Sequence, residues 1–155
     1  MRANVSGKKI DSIRVDTGVK KIEVNDEGET ISLNFADQSF PARYFAMVDE
    51  FQAQQDVFRQ EAEQLDRERE EKKLSEYDHS RKVAAFNLKI HEFFKDRVDG
   101  LFGEGTCRKV FGDIVPSLDL YVDFINQLAP YFEKYSKERQ KKLMQKYNPK
   151  RKGNV

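Results

Sequence analysis

Residues Arg59–Lys82 hold fifteen charged side chains and only three larger apolar ones, Leu65, Leu74 and Tyr77. A stretch of that composition cannot be packed into an interior, because each buried charge would need a partner to offset its lost hydration. Glu63–Arg67, Glu68–Lys72 and Asp78–Lys82 stand at the four-residue spacing that supports a solvated helix. On the N-terminal side, Tyr44, Phe45, Val48, Phe51 and Phe58 recur at helical steps from a start near Pro41, a residue suited to a first helical turn. On the C-terminal side, Val83, Phe86, Ile90, Phe93, Phe94 and Val98 form a second stripe between Arg81 and Val98. One unbroken helix from Pro41 to Asp99 would extend about 90 Å, against a radius of gyration of about 15 Å for a compact chain of this size. The helix therefore breaks, around Ser75–Ser80, or it projects from the body.

The first thirty-five residues follow a different period. Ile13 and Val15, then Ile22 and Val24, then Ile31, Leu33 and Phe35 alternate with polar neighbours, the signature of strands with one apolar face. Asp16-Thr17-Gly18 and Asn25-Asp26-Glu27-Gly28 supply turn chemistry between the runs. Three short antiparallel strands in a meander are expected, covered by the helix that starts near Pro41.

Beyond Val98, Gly100, Gly103 and Gly105 interrupt regular structure, and Thr106–Phe111 reads as a short helix closed by Gly112. Pro116 and Ser117 precede a further amphipathic helix whose apolar face is Leu118, Tyr121, Val122, Ile125, Leu128 and Phe132. Pro130 is expected to kink or restart it by removing a hydrogen bond. A polar last helix from Ser136 to Lys146 should follow, ending at Asn148-Pro149. The fold class is α+β: a small N-terminal antiparallel β-meander (1–40) packed on a mainly helical C-terminal region. That region divides into a helix with the charged segment (41–82), a helical core (83–147) and a flexible basic tail (148–155).

A formal net charge of +1 hides a gradient: from Lys134 to Val155 nine Lys or Arg face one Glu, leaving about −7 on the remainder. Asymmetry of that kind points to an electrostatic role for one end. Seven charged residues among the first twenty leave no apolar leader, and no run is long enough to cross a bilayer. With a single cysteine, Cys107, which excludes an internal disulfide, the composition predicts a soluble intracellular protein.

Catalytic chemistry is hard to assemble from these residues. His79 and His91 stand twelve apart, outside any metal-binding spacing, and read as structural or surface imidazoles. Cys107 lies sixteen residues beyond His91, with nothing in the sequence to bring them together. Phe102-Gly103-Glu104-Gly105-Thr106 lacks the lysine of a phosphate loop, and Glu104 would repel a phosphate. No catalytic residue, cofactor site or metal site is expected. The residues predict a non-enzymatic interaction protein.

The C-terminal block resembles the small tail assembly chaperones of long-tailed, siphovirus-like phages and prophages of Gram-positive bacteria. The resemblance rests on Leu101-Phe102-Gly103-Glu104-Gly105-Thr106, on Val110-Phe111-Gly112-Asp113, and on Pro116–Tyr121 continuing into Val122-Asp123-Phe124-Ile125. Tyr147-Asn148-Pro149-Lys150-Arg151 adds to it, and the likeness covers roughly Val83–Lys152, leaving Arg59–Lys82 unmatched. It implies a chaperone made in the host cytoplasm and absent from the mature virion. Such a protein binds the tape measure protein and promotes assembly of the tail tube protein around it. Holding partner helices requires an apolar groove, for which Leu118, Tyr121, Ile125 and Phe132 are the candidates, unless they are simply core. Arg139, Lys141, Lys142, Lys146, Lys150, Arg151 and Lys152 are the candidate contacts to an acidic partner surface. The alternative is a nucleic-acid-binding accessory protein that uses the same basic segment on phosphates. Against it, Tyr147 is the only aromatic among those cations. A coiled-coil adaptor built on Arg59–Lys82 would self-associate, but that segment has a poor apolar seam.

Overall fold

The computed structural model describes residues 9–147, a two-stranded antiparallel sheet followed by four helices. Strands β1 (Lys20–Glu23) and β2 (Thr30–Leu33) pair in the register Ile22↔Ile31 and Lys20↔Leu33. The turn between them is built on Asn25, whose Oδ1 accepts from the backbone N–H of Glu27 and Glu29 at 3.0 and 3.1 Å. Helices α1 (Ser39–Glu71), α2 (Glu76–Phe102), α3 (Thr106–Phe111) and α4 (Leu118–Tyr147) complete the fold. The sequence-expected tail, 148–155, lies outside the described residues.

The expected third strand does not form. Asp16 Oδ1 accepts from Gly18 N–H at 2.8 Å, so the turn is made, but residues 10–19 pair with no described strand, and Ile13 and Val15 are 87% and 80% exposed. The reason is cover. Ile31, Leu33 and Phe35 are buried, whereas β1 is only half-buried, so a strand beyond β1 would gain no apolar contact.

The long helical segment both breaks and projects. Helix α1 ends at Glu71; Lys73 takes a positive φ of 50°, and Ser75 caps α2 by accepting from Asp78 N–H at 3.1 Å. Serine 75 thus opens the second helix instead of breaking the first, which places the turn at residues 72–75. The two helices run back antiparallel, fastened by Glu50–Arg97, Glu61–Lys89 and Glu68–Lys82. At 33 residues α1 is about 50 Å long, and between Phe58 and Ile90 only His79 is buried. Two of the four-residue pairs expected here are not made: Arg67 bonds Gln64, and Lys82 crosses to Glu68, which also holds Lys72 at 2.9 Å.

Lys82, then Lys72, hold the Glu68 carboxyl down from 4.5 to about 2. A depressed carboxylate stabilises the tip above pH 4.5, and that contribution is lost as pH falls towards 2. The Glu68 side-chain carbon is therefore expected to titrate with a midpoint near 2 in a carbon-detected NMR titration, rising towards 4.5 in Lys82→Ala.

Behind Phe58 the core is an aromatic ladder. Tyr44 stacks on Phe132 with ring centroids 3.9 Å apart, Phe35 meets Phe132 edge-on at 5.0 Å, Phe51 meets Phe94 at 4.4 Å, and Phe94 stacks on Tyr121 at 5.0 Å. Helix α4 passes through Pro130 without ending, and the expected last helix is its continuation. Leu128 and Phe132, buried on either side of the proline, anchor both halves and offset the missing hydrogen bond. Gly103 and Gly105, at φ of 116° and 87°, make the tight α2–α3 turn, a conformation that side chains with a Cβ rarely adopt.

Candidate functional site

Helix α4 presents two different faces, each bordering a concavity. On one, Tyr121, Val122, Ile125 and Asn126 face Val48, Gln52 and Gln55 of α1 across a shallow groove of about 180 Å³. Its rim is made of neutral amides. On the other, Leu120, Phe124, Gln127 and Tyr131 meet Val110 and Phe111 of α3 and Ile22, Val24 and Ile31 of the hairpin around a pocket of about 380 Å³. Among the described residues Glu23 and Asp123 are its only charged lining residues. Asn25 locks the hairpin to α3 by donating to Lys109 O at 3.0 Å, and Lys109 Nζ donates to Thr30 O at 3.3 Å.

Of the four apolar candidates, Tyr121 and Phe132 are buried and belong to the core, while Leu118 and Ile125 are half-buried. Tyr121 and Ile125 do share the α1–α4 groove, Tyr121 forming its floor. Lys141, Lys142 and Lys146 are exposed on the last turns of α4. Arg139 is half-buried, its Nε inside with no hydrogen-bond partner among the described residues, beside Lys20, Tyr135 and Lys142. Lys150, Arg151 and Lys152 lie outside the described residues. The acid-rimmed pocket escaped the sequence reading because its three walls stand far apart in the chain.

Cys107 and His91 do approach one another, through Tyr121. The Tyr121 hydroxyl sits 2.8 Å from His91 Nδ1 and 3.9 Å from Cys107 Sγ, and Asp99 Oδ1 accepts from Cys107 N–H at 2.9 Å. Burial, with the Asp99 carboxylate nearby, pushes the Cys107 thiol up to about 12, and burial followed by Cys107 raises the Tyr121 hydroxyl as well. A thiol needs the opposite shift to act as a nucleophile. The three side chains form a polar chain that runs from half-buried His91 into the core. His79, the other imidazole, is buried at the tip with Nε2 3.9 Å from Asp66. Among the described residues no three His, Cys, Asp or Glu side chains converge to hold a metal ion, and no helix is long and apolar enough to cross a membrane.

A family of unknown function, DUF6673, matches residues 27–154. The chain belongs to it. The DUF6673 match takes in β2 and all four helices, with both faces of α4, and leaves Ile22, Glu23 and Val24 before its first residue. No curated protein and no solved structure matches the chain.

Proposed function

We propose that this DUF6673 protein is a phage or prophage tail assembly chaperone, a non-enzymatic protein that grips apolar helices of a tape measure protein. The observation that carries the reading is a coincidence of position. Within the block that resembles such chaperones, Tyr121, Val122 and Ile125 are the apolar residues of the α4 wall of the α1–α4 groove. A groove with an apolar floor and an amide rim suits an apolar helix that would otherwise aggregate, because it removes apolar surface from water without demanding a matching charge. In this reading the protein works in the bacterial host cytoplasm, helps tail tube subunits assemble around the tape measure protein, and leaves before the virion is complete.

Co-expression with a tape measure protein from the same genome is expected to raise its soluble fraction several-fold and to yield a complex. Val122→Asp and Ile125→Asp should each remove both effects. An unchanged soluble fraction and no complex would end the reading. The competing function, nucleic-acid binding through Lys141, Lys142 and Lys146, requires an affinity that falls steeply with salt.

A further inference from the structure

We infer that the protein self-associates head to tail: the basic end of α4 from one copy docks in the acid-rimmed pocket between the hairpin, α3 and α4 of the next. This does not rest on the chaperone reading and uses the opposite face of α4. The pocket has an apolar floor of Ile22, Ile31, Phe111, Phe124 and Leu128, with Glu23 and Asp123 exposed at its edge. Leu120 and Tyr131, at 37% and 44% exposure, leave large apolar surface on its lip. Such a site asks for a helix that carries cations beside apolar side chains.

The same chain supplies that helix. Lys137, Lys141, Met144 and Tyr147 follow one another at four- and three-residue steps, so they form a single stripe on the last turns of α4. All four are exposed, Met144 at 59% and Tyr147 at 70%. Lys137 already pairs with Glu133 at 2.9 Å, so Lys141 is the ammonium the stripe offers, and with Met144 and Tyr147 beyond it the stripe complements an apolar floor with carboxylates on its rim.

A copy cannot satisfy its own pocket. Pocket and stripe lie on one continuous helix, and the stripe is centred about 25 Å further along it. Docking must therefore take place between copies. Donor stripe and acceptor pocket are different surfaces, so a one-way contact is heterologous and leaves a stripe and a pocket open, from which further copies close a ring or extend a filament. The contact is small, which places it in the weak, transient class.

Light scattering on the purified full chain tests this directly. The weight-average mass is expected to climb with protein concentration at about 0.05 M salt and to fall back towards one protomer at about 0.5 M, where charge attraction across the rim is screened. Asp123→Lys and Lys141→Glu, both at exposed positions, should each weaken association at least tenfold. The double variant carrying both changes should restore it. Met144→Asp, which removes an apolar contact and leaves the cations, should weaken it as well. A protomer mass at every concentration overturns the inference and leaves the pocket to a different chain. So does association that Asp123→Lys leaves intact, or a folded double variant that does not recover.

Discussion

Replacing Tyr121 by alanine is expected to lower the unfolding free energy by about 3–5 kcal/mol, the range for deleting a large buried aromatic side chain. Tyr121 is wholly buried, stacks on Phe94 at 5.0 Å and meets Phe111 edge-on at 4.9 Å, so its ring joins α2, α3 and α4 at one point. Removing it opens a cavity where three helices meet, and none of them can close the gap without leaving its other contacts. For a chain of this length the loss corresponds to roughly 10 °C or more in Tm. Tyr121→Phe separates packing from hydrogen bonding. It keeps the ring and removes only the bonds to His91 and Cys107, which should cost about 1 kcal/mol. Thermal and urea unfolding of the two variants, monitored by circular dichroism, gives the comparison. A Phe variant as unstable as the Ala variant would shift the weight from the ring to the hydroxyl.

The second large effect is on thiol chemistry. At pH 8, raising the Cys107 pKa from 9.0 to about 12 lowers the thiolate fraction about a thousandfold. At 3% exposure the sulfur is also out of reach of a reagent. Labelling of the native protein by a disulfide reagent such as DTNB is therefore expected to be at least a thousandfold slower than labelling in denaturant, and to proceed through opening of the fold. Tyr121→Ala should accelerate it by widening that opening. The same shift has a stability consequence of definite sign. A raised thiol pKa favours the folded state fully below pH 9, and that contribution is lost as pH rises towards 12. Fast labelling of the native wild-type protein would show an accessible thiolate and reopen the case for a reactive cysteine.

The helices were legible in the sequence wherever an apolar stripe marked a buried face. The stripes Val83–Val98 and Leu118–Phe132 lie within α2 and α4, and Thr106–Phe111 is α3 to the residue. Local pattern failed where the outcome depended on a neighbour. Ile13 and Val15 alternate as well as Ile22 and Val24 do, yet only the latter pair has helices to lie against. Pro130 carries the same local penalty in any helix, and only the burial of Leu128 and Phe132 decides that this one continues. Lys82 chose Glu68 across the turn over Asp78 on its own helix, which spacing along one helix could not reveal. The α1–α4 groove was half visible, because Tyr121 and Ile125 signal a face without saying what stands opposite. The His91–Tyr121–Cys107 chain was invisible, since no fixed spacing links a tyrosine to partners thirty residues before it and fourteen before it.

The outer reach of the α1–α2 pair shows what charge without a core permits. Exposed ion pairs add little stability apiece, so this outer part is free to open and re-form without disturbing the aromatic ladder beneath it. The Lys72–Ser75 corner is thus the natural place to splice in a fluorophore or an affinity handle, at the end of α1 away from both concavities of α4.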